Sequence, residues 1–312
     1  MSNIGIKPEQ KIRIKLNLPS AKVAAFIGPA MILIAFFYFL PGIMTIMLSI
    51  TDMGFNFKAV FVGLKNYLFI FTDPLAGKVI LNTLVYVFCT LLFFNIGMGL
   101  ILALLTSYAS KKVATIFRLI WLLPRMTPPL VYILMWRFLL DPSDYGALNI
   151  LREQLFNAGA INLFAEHPWA VIIIVNGFVG ASMGMLVFSS AIESIPKDYF
   201  KAARIDGASE WEVIKNITIP MIKWPLMFIT VYQTLALFTS FEYILALTDG
   251  GPFYATEVWS LYAYHNALQY FDFGYGAALA SVLVLIGIIA SLIYWKVFRF
   301  EDSVVKPKIE IN

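Results

Sequence analysis

An all-α membrane protein with six transmembrane helices is the fold class this sequence predicts, and three observations predict it. Of its 312 residues, 60% are hydrophobic and only 13% charged, where a soluble domain keeps about 25% charged. Mean hydropathy is +0.79. Six apolar runs reach the ~20 residues that a hydrocarbon core of about 30 Å demands of a helix. Lysine and arginine concentrate in alternate connections, as they do when one set of loops stays in the cytoplasm.

Residues 1–22 carry Lys7, Lys11, Arg13, Lys15 and Lys22 against one acid, Glu9, and read as a cytoplasmic N-terminal segment. Val23 to Ile50 is longer than the core of a signal peptide, about 7 to 15 apolar residues, and lacks a persuasive small-residue cleavage site. It is expected to remain as the first span, with Pro29, Pro41 and Gly42 as positions for kinks. Further spans are expected near Val79 to Thr106, Ala114 to Leu140, Trp169 to Ile192, Met221 to Thr248 and Tyr275 to Phe298. This gives a transmembrane domain over 23–298 and a cytoplasmic tail over 299–312. The segments then assigned to the cytoplasm, 1–22, 107–118, 192–223 and 296–312, hold seventeen of the 23 basic residues. The outer loops hold Lys58, Lys65, Lys78 and Arg152. A multi-pass protein of the cell membrane with both termini in the cytoplasm is the expectation.

Little in the chain suits catalysis. The single cysteine, Cys89, lies in an apolar run and excludes an intrachain disulfide or a cysteine-based metal site. His167 and His265 fall in predicted loops and read as neither ligands nor bases. There is no G-x-x-x-x-G-K-[ST], HExxH or GxSxG pattern. No catalytic residue and no metal site is assigned, and any energy used must come from another subunit.

Residues 195–220 form a polar island between two apolar spans. Pro196 opens a short helix through Ile205, Asp206-Gly207 signals a turn, and Ser209-Glu210-Trp211-Glu212 has capping-box spacing for a second helix ending near Pro220. Charges nearly balance, and Phe200, Trp211, Ile214 and Ile217 offer apolar anchors that a merely solvated loop does not need. The pattern Lys201-Ala202-Ala203, with Gly207 four residues on from Ala203, and Ile217-x-Ile219-Pro220 resembles the "EAA" cytoplasmic loop of permease subunits in binding-protein-dependent ABC importers. It is most similar to the maltose and glycerol-phosphate types. Lys201 stands where that family has Glu, and Ile219 where it has Leu. The resemblance implies that Lys201, Ala202, Ala203, Asp206, Gly207, Ser209, Trp211 and Pro220 couple the chain to an ATPase.

Outer segments carry more of the resemblance. Phe61-Val62-Gly63-Leu64-Lys65-Asn66-Tyr67 is similar to F-x-G-L-x-N-Y after the first span of the family, and Gly146-x-Leu148-Asn149 to G-x-x-N after the third. Leu247-Thr248-Asp249-Gly250-Gly251-Pro252 with Thr256 is similar to L-T-x-G-G-P…T. Taken singly, each is first of all a turn.

Polar side chains at membrane depth are costly and point toward a pathway or a helix contact. Asn176, Gly180 and Met183 are spaced i, i+4, i+7 on one face of the fourth span, and Gln233, Leu237 and Ser240 repeat that spacing in the fifth. In the resembled family the matching positions line the sugar site, so these six are the candidate solute-cavity residues. Met183 replaces an aromatic residue and Leu237 an amide. Ser182 and Ser240 suit packing and cavity lining equally; the amides of Asn176 and Gln233 suit a cavity better. Arg125 lies near the middle of the third span, between Pro124 and Pro128-Pro129, where the family more often has Tyr. It reads first as a structural pair with Glu242 or partner carbonyls, and otherwise as a contact for an anionic solute.

The resemblance implies a type I ABC importer permease that moves a sugar, oligosaccharide or related solute inward. It also implies a second, homologous permease subunit as heterodimer partner, two ATPase subunits that bind ATP-Mg, and an extracytoplasmic solute-binding protein. The chain itself holds no cofactor and shows nothing suited to nucleic acid. A stand-alone secondary transporter or channel would need acidic residues or charge rings along a pathway, and an intramembrane enzyme a convergent His, Asp or Ser-Lys set. Neither pattern is present.

Overall fold

Long runs of Leu, Ile, Val and Phe without turn residues satisfy their backbone internally, the one arrangement besides a closed barrel that lipid permits. They are helices in the computed structural model, which describes residues 21–298. The expected cytoplasmic ends, 1–20 and 299–312, lie outside the described residues. The chain divides into two units, 1–45 and 46–312. No strand occurs among the described residues, only an isolated bridge between Thr51 and Phe61.

Among the described residues four helices are long and apolar enough to cross a membrane: Ala25–Ser49, Ala76–Tyr108, Pro168–Glu193 and Phe273–Val297. They match the expected first, second, fourth and sixth spans to within a few residues. Inside the first, a five-residue π turn, Ala35–Phe39, directly precedes Leu40 and Pro41. Inside the second, Thr90–Met98 is π-helical.

The third span, expected over Ala114 to Leu140, is broken into two helices. Lys111–Met126 and Pro129–Leu139 meet at 98°. A residue before proline is pushed out of the helical region, and here two successive residues are. Thr127 has ψ 136° and Pro128 ψ 134°. Arg125 consequently sits at the end of a helix rather than in the middle of one.

The fifth span is also shorter than expected. Lys223–Thr239 is 17 residues long, about 25 Å at 1.5 Å per residue, and the chain is extended at Ser240 before Glu242–Leu247 resumes the helix. Its start is met at 68° by Glu210–Met221, the second helix of the polar island.

One buried cluster joins the second, third, fourth and fifth spans through Tyr86, Tyr132, Ile133, Ile172, Val175, Leu237 and Ile244. A second, around Val79, Trp259, Tyr275 and Leu279, ties the short helix Trp259–Tyr264 to the second and sixth spans. Each outer motif organises its own loop. Asn66 donates to the carbonyls of Ser49 and Thr51 at 2.9 and 2.7 Å. Asn149 donates to Asp141, Ser143 and Ile161 carbonyls and accepts the Ile161 N–H. Gly250 has φ +75°, and the Thr256 hydroxyl donates to the Gly251 carbonyl at 2.7 Å. The turn reading of these motifs holds.

Candidate functional site

The polar island folds as its sequence specifies. Pro196, extended at ψ 130°, starts the helix Lys197–Ile205. Its last turn closes through Asp206 N–H to the Ala202 carbonyl at 3.0 Å and Ala208 N–H to the Ala203 carbonyl at 2.9 Å. Between them Gly207 lies in the left-handed region at φ +78°, where a residue with a Cβ is strained. A Cβ there would meet nothing within 4 Å. A larger residue at 207 therefore meets no steric clash, and the constraint is the backbone itself.

Ser209 then caps Glu210–Met221 with both halves of a capping box: its hydroxyl accepts from Glu212 N–H at 3.3 Å, and its own N–H donates to the Glu212 carboxylate at 2.7 Å. That N–H, with the Ser209 hydroxyl, holds the Glu212 carboxyl below its ordinary range. Arg204 reaches Glu210 at 3.3 Å, and Tyr108 of the second span donates to the same carboxylate at 2.8 Å. The turn is thus pinned to the bundle while large apolar side chains stand outward. Ile205 is 85%, Trp211 68% and Tyr199 54% exposed. Of the four anchors expected from the sequence only Trp211 faces out; Phe200, Ile214 and Ile217 are partly buried. Tyr199 and Ile205 were not singled out from the sequence, because i, i+6 spacing puts them about 120° apart on a helix and marks no shared face. Ala202 and Pro220 are exposed, and Lys201 meets Asp198 of its own helix at 3.0 Å.

At mid-span the candidate cavity residues separate into two groups. Asn176 is buried and donates to the Tyr86 hydroxyl at 2.7 Å, with Ser240 Oγ 3.5 Å away. Gln233, also buried, donates to the Gly180 carbonyl at 3.2 Å. Together Tyr86, Asn176, Gln233 and Ser240 make a polar seam through the second, fourth and fifth spans. Gly180 is a seat for packing, since a Cβ there would run into the Asn95 side chain; Gly177 and Gly184 do the same against Phe94 and the Asn95 carbonyl. Met183 packs on the cluster of Phe188, Ile195 and Ile229, and Leu237 is buried beside Tyr86 and Tyr132. Tyr86 and Asn95 were not singled out from the sequence. Asn95 had a signal, an amide inside a continuous apolar run, and its Oδ1 is buried without a partner.

Arg125 and Glu242 are exposed and make no ion pair with each other within 4.0 Å. Both lie close enough to Tyr243 to act on it electrostatically. Arg137 donates to the Ala246 carbonyl at 3.0 Å, as a snorkelling residue at a helix end can.

His265 is buried rather than in a loop. Its Nδ1 is 2.9 Å from Glu257 and its Nε2 3.1 Å from Asp249. Burial pushes the Glu257 carboxyl up to about 7; the neighbouring His265 opposes the rise and Asp249 adds to it. The folded segment therefore binds more protons than the unfolded one between the ordinary value of 4.5 and about 7. Its stability is expected to fall as pH rises through that window and to level off above it. Glu257→Gln should flatten the pH profile of thermal unfolding between those limits. An unchanged slope would remove Glu257 as its source.

The fold and these two features define a class: a helical membrane protein with a polar seam between spans and a pinned helix-turn-helix island whose large apolar side chains stand outward. The chain belongs to the family described as binding-protein-dependent transport system inner membrane component, whose model matches residues 95–298. It is 31% identical to a probable ABC transporter permease of Pyrococcus horikoshii over 88% of this chain and 94% of that one. It is 28% identical to the trehalose/maltose transport system permease of Thermococcus litoralis over 94% and 99%. Its fold matches a chain of a bacterial alginate ABC transporter, solved in complex with an alginate pentasaccharide-bound periplasmic protein. The TM-score is 0.77 at 22% identity, covering 88% of this chain and 92% of that one.

Proposed function

We propose that this permease imports a sugar, oligosaccharide or related polyol derivative as one of two homologous permease subunits. ATP-Mg is bound and hydrolysed by two separate ATPase subunits, and a binding protein delivers the solute outside. The observation that carries the reading is the polar island, where three large apolar side chains project from a turn that is capped, ion-paired and tied to the second span. Such exposure is costly in water and suits a partner's cleft. The bias of basic residues supports a cytoplasmic island and cytoplasmic termini, with the Gly250–Pro252 turn outside. The names of the relatives support a sugar-like solute, which the amides of Asn176 and Gln233 match with a donor and an acceptor each. When the bundles rock between states, the bonds of Asn176 to Tyr86 and Gln233 to Gly180 are the ones to be exchanged for solute hydroxyls.

Reconstitution tests this. The chain, co-expressed with a second permease, ATPase and binding protein, should take up labelled trehalose or maltose oligosaccharides into vesicles only when ATP is supplied on the side of the polar island. Uptake driven by an ion gradient without ATP would establish the stand-alone transporter instead. Lys201 gives a smaller test. Its pair with Asp198 is exposed on both sides, and such pairs contribute about 0 to 1 kcal/mol. Lys201→Glu should leave thermal stability nearly unchanged and leave ATPase assembly equal or weaker. Tighter assembly would contradict a partner surface matched to this lysine.

A further inference from the structure

We propose that the cleft between the polar island and the ends of the second, third and fourth spans binds the phosphate of an anionic membrane lipid. The cleft has a volume of about 630 Å³ and is lined by Lys111, Arg118, Lys197, Lys201 and Arg204, with Glu193 and Glu210 as its acids. Each acid is already engaged: Glu193 by Arg118, Glu210 by Arg204 and the Tyr108 hydroxyl. Lys201 is engaged by Asp198. Among the described residues Lys111 and Lys197 make no ion pair, so the cleft keeps an uncompensated positive charge. Arg118 adds a buried Nε without a partner.

The backbone adds to this field. Lys111 and Lys197 are the first residues of the helices Lys111–Met126 and Lys197–Ile205, and the residues before them, Ser110 and Pro196, supply no side-chain cap. Two helices without a side-chain cap therefore begin at residues that line this cleft, and the positive ends of their dipoles add to the field a phosphate oxygen meets. The remaining lining is mixed: Leu104, Ile192 and Phe200 lie beside the charges, and Thr106, Ser107, Thr115 and Thr218 add hydroxyls. Large apolar side chains in the same lining as the cations give an acyl chain a surface beside the phosphate, which favours an amphiphile over a free anion. A headgroup here would bridge Lys111, at the start of the third span, to Lys197, at the start of the docking helix, and so hold that helix against the bundle. The inference rests on the island lying at the inner membrane surface, as proposed above.

The test uses the complete importer in nanodiscs of phosphatidylcholine, with or without an equal amount of phosphatidylglycerol, and counts retained lipids by native mass spectrometry. Wild type should retain phosphatidylglycerol in preference to phosphatidylcholine. Near a membrane surface each basic residue contributes about fivefold in affinity, so Lys111→Gln with Lys197→Gln should weaken retention about 30-fold. Lys111→Arg with Lys197→Arg should keep it. Equal retention by the glutamine and wild-type complexes overturns the site. Inorganic phosphate or glycerol phosphate displacing the lipid at millimolar concentration overturns the lipid as its source. ATP-dependent uptake measured on the same preparation reads the proposed transport function separately, because lipid retention is scored by mass whether or not solute moves.

Discussion

Gly207→Val is expected to leave the spans inserted and the complex assembled while lowering the solute moved per ATP hydrolysed about five- to thirtyfold. The size follows from the backbone. A β-branched residue held at φ +78° costs about 1 to 2 kcal/mol, which corresponds to that range in an equilibrium constant. Because a Cβ at 207 meets open space, nothing in the bundle is displaced, and the strain is relieved by re-orienting the turn. Relief would break the bonds of Ala208 to Ala203 and Asp206 to Ala202 and swing Trp211 away from Ile205 and Tyr199. Gly207→Ala should show a milder form of the same defect, and Ser209→Ala, which removes the hydroxyl of the capping box, should act in the same direction at about 1 kcal/mol. The check is simultaneous measurement of ATP hydrolysis and uptake in proteoliposomes. Wild-type stoichiometry in Gly207→Val would show that the turn does not set the docking angle.

Asn176→Ala and Gln233→Ala should slow uptake more strongly still. Removing one partner of a buried polar pair costs about 1 to 3 kcal/mol, or about five- to 150-fold for the step that uses it. The binding protein's own affinity should not change, and binding-protein-stimulated ATPase activity should survive. Tyr86→Phe divides two roles of Asn176, since it removes only the hydroxyl to which Asn176 donates at 2.7 Å. If Asn176 meets solute directly, Tyr86→Phe should be much milder than Asn176→Ala. Equal losses in the two would make the amide a strut between the second and fourth spans. Loss of assembly in all three variants would assign the whole seam to packing.

How much of this was legible beforehand depends on how local the cause is. Apolar length, the Pro196 start, the left-handed Gly207 and the Ser209–Glu212 box are each properties of a short stretch of sequence; the last three, and four of the six apolar runs as unbroken helices, appear in the structure where the sequence places them. The site at mid-span is different. Spacing put Asn176 and Gly180 on one helical face, yet only the packed structure shows that this face meets Tyr86 in one turn and Asn95 in the next. The same periodicity is satisfied by a cavity wall and by a helix seat. The island shows the same limit: Phe200 and Ile205 are both apolar, but one is partly buried and the other exposed.

Hydrophobicity, capping and turn chemistry act over one to four residues and are therefore written in the sequence itself. By itself it determined that this chain is a multi-pass membrane protein built of long apolar helices, and that a capped helix-turn-helix interrupts them. The tertiary structure decided that the third span breaks by 98°, that Arg125 and Glu242 remain apart, that Gly180 is a contact with Asn95, and that Lys111 and Lys197 share one cleft. Those outcomes depend on which side chains arrive from spans that are distant in sequence, and no local pattern encodes that arrival.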